Sequence, residues 1–162
     1  MRGMQTRLVV FLLAVAGTAA AGGGEPAASE QDAVARHRAL YAGTWNIVAI
    51  ESNGEVNPAT GRDAVVVNRP DGTWTMSVDG REVNRGVSRM DPLASPPEID
   101  IEITAGDGTG KLLRGIYEVT ETRRRLCFRG EQGWRPREFR TQPGDGAVLV
   151  TFEKRPDDVS RP

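Results

Sequence analysis

From Gly43 onward, apolar residues fall into short alternating runs, separated every roughly 8 to 15 residues by turn signals, which is the spacing of an antiparallel sandwich or barrel. Residues 45–52 end at Asn53-Gly54, a dipeptide suited to a tight hairpin because both residues tolerate positive φ. Residues 63–68 end at Pro70-Asp71-Gly72. Residues 73–78 set Trp74, Met76 and Val78 against Thr73, Thr75 and Ser77, then turn at Asp79-Gly80. Residues 82–90 form a polar run carrying Val83 and Val87. Residues 98–104 are the most regular, with Ile99, Ile101 and Ile103 on one face and Glu98, Asp100, Glu102 and Thr104 on the other. Residues 111–120, 124–129 and 147–154 bring the runs to eight. Eight strands with one polar face each predict an all-β fold, an eight-stranded antiparallel up-and-down barrel, since closure removes exposed edges.

The start of the chain reads differently. Arg2 and Arg7 flank the head of an apolar stretch, residues 8–16, that runs into Ala19-Ala20-Ala21. A positive segment, a short apolar segment and a small-residue cleavage site make a secretory signal peptide, so residues 1–21 are expected to be removed on export to the periplasm or beyond. The stretch is too short to span a bilayer, and no cysteine follows it to take a lipid. Residues 22–31, opening Gly22-Gly23-Gly24-Glu25-Pro26, read as a flexible linker. Residues 31–42 carry Ala33, Val34, Ala35, Ala39 and Leu40 without Gly or Pro, which predicts a short helix with Ser29 or Asp32 near its start. The barrel domain is assigned to residues 32–155 and a disordered tail to residues 156–162.

Charge and cysteine usage narrow the partners. The 162 residues hold 21 basic and 22 acidic side chains, and the leader takes away two basic and no acidic ones, leaving a mildly acidic domain. Such a balance argues against nucleic acid, which requires a basic face. One Cys excludes an internal disulfide and a Cys-rich zinc site, and one His with one Cys cannot cage a transition metal, so no metal and no cofactor are expected. A monomer is the simplest assembly.

Gly43-Thr44-Trp45 at the head of the first strand, after a short helical turn, resembles the opening motif of lipocalins. Across residues 40–155 the chain resembles an uncharacterised planctomycete family of small secreted lipocalin-like domains. The resemblance is carried by Leu40-Tyr41-Ala42-Gly43-Thr44-Trp45, Met90-Asp91-Pro92 with Pro97-Glu98-Ile99-Asp100, and Gly115-Ile116-Tyr117-Glu118. Leu126-Cys127, Arg135-Pro136 with Glu138-Phe139, and Phe152-Glu153-Lys154-Arg155 complete it in order. It implies the barrel fold, with Gly43 and Trp45 as structural residues at the closed end and Lys154 or Arg155 covering the indole ring by a cation–π contact. It implies no activity. The chain lacks the Thr-Asp-Tyr turn motif and the disulfide of true lipocalins.

Individual residues suggest little catalysis. Cys127, between Leu126 and Phe128, reads as a small buried hydrophobe, and His37, between Arg36 and Arg38, as solvated. Asp91, Asp100 and Glu118 are the carboxylates able to converge, with loop-shaping and Arg pairing as the simpler reading. Arg123-Arg124-Arg125 reads as a solvated face. Arg135, Arg137 and Arg140 surround Trp134, Glu138 and Phe139, with Glu138 or Asp100 as a partner for Arg135, and this cluster is the first place to look for a ligand site at the barrel mouth. Strand parity groups Leu113, Gly115, Tyr117 and Val119. With that set inward, the Tyr117 hydroxyl needs a partner, and Arg135 or Asp100 is the candidate. Tyr117, Arg135, Asp100, Glu138 and Trp74 are therefore the candidate ligand-binding residues. The expected function is that of an exported, non-catalytic module binding a small or apolar ligand in the barrel or a protein partner at its mouth. The alternatives are a surface-acting interaction domain with a filled barrel, and a carboxylate-dependent hydrolase.

Overall fold

The computed structural model describes residues 26–59, 63–130 and 133–156. They form one helix, α1 (Pro26–Tyr41), and nine strands: β1 (Gly43–Ser52), β2 (Glu55–Pro58), β3 (Ala64–Asn68), β4 (Thr73–Val78), β5 (Arg81–Asp91), β6 (Glu98–Gly106), β7 (Leu112–Val119), β8 (Arg123–Arg129) and β9 (Ala147–Lys154). Strands β1 and β3 to β9 pair in sequence order, all antiparallel, and β1 pairs again with β9, so the sheet closes into the expected eight-stranded barrel.

The ninth strand is an addition to the expected pattern. β1 is long enough to serve two neighbours on one edge, with Gly43 to Asn46 on β3 and Ala49 to Ser52 on β2. Asn53 and Gly54 both have positive φ in the hairpin that joins β1 to β2. β2 was invisible to the alternation rule because Glu55, Val56, Asn57 and Pro58 are all exposed, so no face of it is apolar.

The helix starts earlier than expected. Residues 26–31, read as linker, are helical, because Pro26 suits a first helical turn and Ala27, Ala28, Glu30 and Gln31 are good helix formers. The expected leader, the linker residues 22–25 and the tail residues 157–162 lie outside the described residues. At the other end, Gly43 with φ 119° turns the chain directly from helix into β1, a conformation that a side chain would resist.

That turn docks the helix C-terminus into one end of the barrel. The Trp45 indole donates to the Tyr41 carbonyl at 2.9 Å, and Lys154 Nζ donates to the Leu40 carbonyl at 3.5 Å, so two carbonyls orphaned by the end of the helix find donors. Arg38 reaches across the end to the Ser88 carbonyl of β5 at 2.6 Å. Below this plug lies the main core, with Trp45, Ile99 and Tyr117 almost fully buried and Ile47, Leu126, Val150 and Phe152 around them. The expected cation over Trp45 is Lys154, at 5.1 Å from the ring. Arg155 instead bonds Asn46 and Asp63 on the outer surface.

A second, smaller core lies on the outside of the barrel. Ile116, Cys127, Ala147 and Leu149 pack with Phe139 of the β8–β9 connection. Cys127 is buried as expected, on the outer face of the barrel.

Trp45→Ala is expected to lower folding stability by about 3–5 kcal/mol, the range for deleting a core aromatic. It removes the ring at the centre of the base and the donor to the helix end together. Denaturant unfolding of the variant measures this; a loss below about 1 kcal/mol, the scale of an ordinary surface change, contradicts the packing described.

Candidate functional site

Strand alternation sends one residue in two into the lumen. In β8 this gives Arg124, Leu126 and Phe128, in β4 Trp74 and Met76, and in β9 Val148, Val150 and Phe152. These side chains, with Ile101 and Leu113, surround a cavity of about 340 Å³. That lies at the small end of the range for ligand sites. Ile50, Asn84 and Asp107 line it at the end away from α1, where Ile50 is 37% exposed and Asn84 Nδ2 donates to the Asp107 carbonyl at 2.6 Å. Tyr41, Asn68, Ser88 and Arg124 line it at the α1 end. The site is therefore an apolar tunnel, plugged at one end by the helix.

Trp74 owes its place in the wall to the residue opposite it. Gly86 is its register partner on β5, beside a bulge in the β5–β6 pairing, and a Cβ there would lie 2.7 Å from the indole and collide with the Glu102 carbonyl. Only glycine lets the Trp74 ring lie against the sheet.

Arg124 is the unexpected member. The sequence predicts a solvated run here, yet Arg124 is 1% exposed while its neighbour Arg123 is exposed. Its guanidinium carbon lies 4.0 Å from the Phe152 ring, 4.2 Å from Tyr41 and 4.7 Å from Trp45. Burial pulls its pKa down to about 10, opposed by Tyr41, so the group is still a cation at neutral pH. The alternation with Leu126 and Phe128 was the signal for it, and three adjacent arginines masked that signal.

The five candidate ligand residues divide. Trp74 lines the cavity. Tyr117 points inward and is fully buried, but it belongs to the packed base and not to the cavity wall. Its hydroxyl meets His37 Nδ1 of α1 at 2.8 Å, so neither Arg135 nor Asp100 is its partner and His37 is not simply solvated. Arg135, Asp100 and Glu138 lie on the outer wall. Arg135 donates to the Ile99 and Gly115 carbonyls at 3.0 and 2.7 Å and pairs with Asp100 at 2.7 Å and Glu98 at 2.9 Å. Glu138 pairs with Arg140 at 2.7 Å on the surface. The cluster misses the mouth because the β8–β9 connection must cover the apolar outer patch of Ile116, Cys127 and Leu149, and Arg135 pins it there. A charged cleft of about 770 Å³ beside that connection includes Trp134, which is 87% exposed.

The carboxylates weighed for catalysis each have a local partner. Asp91 accepts from the Leu93 and Ala94 amides at 3.0 and 3.2 Å, Asp100 pairs with Arg135, and Glu118 pairs with Arg125 at 3.0 Å. No group of three or more metal-ligating side chains occurs among the described residues, and no described helix is long and apolar enough to cross a membrane. Comparison with known proteins returns no match, whether against protein-family models, curated sequences or solved structures.

Two predictions follow from this arrangement. Tyr41 and Tyr117 are the chain's two tyrosines, and burial raises both phenols above their ordinary value, with Tyr41 adding to the rise at Tyr117. A raised acid keeps its proton to higher pH. The folded protein should therefore show little tyrosinate absorbance near pH 10, where the denatured chain is about half ionised. A full tyrosinate signal there, with circular dichroism still native, would refute the burial. Burial also raises the Cys127 thiol, so a disulfide reagent should react slowly with the native protein. Arg135→Ala, which releases the cover, should speed that reaction several-fold; an unchanged rate would mean that Arg135 does not hold it.

Proposed function

We propose that this protein is an exported, non-catalytic lipocalin-like module that binds one small ligand with an apolar body inside its barrel. The observation that carries the reading is the 340 Å³ apolar tunnel, lined by Ile50 and Asp107 at the end away from α1, where Ile50 is part-exposed. A barrel of eight strands can be filled by its own side chains. In the upper half, however, Val66, Ile101, Leu113, Val148 and Val150 line open space. Export rests on the leader pattern of residues 1–21, and membership of the secreted lipocalin-like family rests on the motifs from Leu40 to Arg155. The second reading, a surface-acting interaction domain, draws on Trp134, an aromatic side chain left exposed beside a charged cleft.

The test is to titrate the protein with a small environment-sensitive apolar fluorophore such as 1-aminoanthracene. Saturable binding at one site is expected, abolished in Leu113→Trp, which fills the tunnel. Overpacking costs about 1–3 kcal/mol, so that variant should still fold. Binding that survives Leu113→Trp but is lost in Trp134→Ala would move the function to the outer cleft. Native mass spectrometry of the protein isolated from its own cells should show one small molecule bound.

A further inference from the structure

Four nitrogen atoms at the α1 end of the tunnel point to the chemistry of its occupant. Arg124 Nε and Nη1, Asn68 Nδ2 and Trp74 Nε1 are buried and meet no acceptor among the described residues. All three residues line the same cavity. Arg124 is 1% exposed and Asn68 is 8% exposed, so bulk water does not serve them. The ion pairs among the described residues engage Arg85, Arg125, Arg129, Arg135, Arg140 and Arg155, which leaves Arg124 without a carboxylate. Its three aromatic neighbours attract the charge but offer no lone pair to its N–H groups.

The sheet register ties these donors to one end. Asn68 stands opposite Trp74 on β4 and opposite Gly43 on β1. Trp45, two residues along β1, carries the ring that lies 4.7 Å from the Arg124 guanidinium. One end of the tunnel is thus cationic and rich in donors, while its walls from Leu126 to Val148 are apolar.

We propose that the tunnel takes a linear monocarboxylic acid of medium chain length, with its carboxylate at the base against Arg124, flanked by Asn68 and Trp74, and its alkyl chain running toward Ile50. The proposal rests on the reading of the lumen as the ligand site and specifies what that site selects. A carboxylate is planar, matches the guanidinium fork, and offers about four lone-pair sites to the four unused nitrogens. Its single charge balances the single buried cation. From Arg124 to Phe128 the strand rises about 13 Å, and 340 Å³ holds on the order of ten water-sized groups. Both figures suit a chain of about ten carbons.

The experiment compares decanoate, 1-decanol and decylamine as competitors of 1-aminoanthracene on the native protein and on Arg124→Met. Decanoate is expected to bind about 10- to 100-fold more tightly than decanol, the worth of a charge-assisted hydrogen bond, with decylamine weakest. Arg124→Met should abolish the preference, so that decanoate binds the variant no more tightly than decanol binds the same variant. If circular dichroism shows that Arg124→Met does not fold, the double variant Asn68→Leu with Trp74→Phe carries the test, and should cut the preference for the acid. Equal affinity of decanoate and decanol for the native protein overturns the acid head group while the lumen stands as a site. Failure of all three to displace the fluorophore overturns the acid proposal, and absence of saturable fluorophore binding overturns the lumen reading as well. A crystal structure with decanoate whose carboxylate lies at the mouth, or with only water or chloride on the base donors, also overturns the proposal.

Discussion

Placing a guanidinium inside a barrel is costly, because apolar walls replace the water that would solvate the charge, and a lone buried cation has no partner to offset it. Arg124 is held nonetheless, and the parts of the structure that hold it come from three directions. Tyr41 arrives from the end of α1, Trp45 from the start of β1 and Phe152 from the end of β9. Each ring contact is worth roughly 0.5–2 kcal/mol, the larger figure applying when the cation is desolvated as here. The helix plug, the closing β1–β9 seam and the base of the lumen therefore converge on one side chain. Its faces are covered by rings and its Nε and Nη1 are buried without an acceptor, so the same packing that secures the base leaves N–H groups unspent at the bottom of the tunnel.

The barrel was legible in the sequence because its strands obey alternation over residues with clear contrast. Ile99, Ile101 and Ile103 point inward against Glu98, Asp100 and Glu102, and Trp74 and Met76 do likewise on β4. Turn chemistry at Asn53-Gly54 and Asp79-Gly80 set the boundaries, and both Asn53 and Asp79 adopt the positive φ that their types tolerate. The failures share a cause. β2 has no buried face, so it carries no period, and Arg124 has the parity of a core residue but the identity of a surface one. His37 was judged by its neighbours in sequence, Arg36 and Arg38, whereas its partner Tyr117 lies eighty positions away. Pairings at that separation depend on closure of the barrel, which local pattern does not encode.

The misplacement of Arg135 has a different origin. A barrel whose outer surface were wholly polar would need no cover, and the β8–β9 connection would project from the mouth as expected. On this barrel Ile116, Cys127 and Leu149 break the outward polar rule on three adjacent strands, and burying them requires a lid. Phe139 supplies the apolar contact, and Arg135 supplies direction, since its guanidinium spans carbonyls of β6 and β7 and two carboxylates of β6. The arginine, proline and aromatic residues that looked like a recognition cluster are instead the fastening of a loop to the wall. The one aromatic that this fastening does not use is Trp134.

The same economy of volume explains why the lumen is hollow only above the base. Trp45, Tyr117, Ile99 and Leu126 fill the lower barrel at the packing of a protein core. Higher up, the inward positions pass to Val66, Val148, Val150, Ile101 and Leu113, whose side chains are too short to meet across an eight-stranded cylinder. With α1 fixed over the base by Arg38, Lys154 and the Trp45 indole, the end that bears Ile50 and Asp107 is the one the helix leaves uncovered. On the proposed reading, donors gathered at the end closed by α1 impose an orientation on the ligand. Only a molecule with its acceptor at one end and its apolar body at the other satisfies base and walls together.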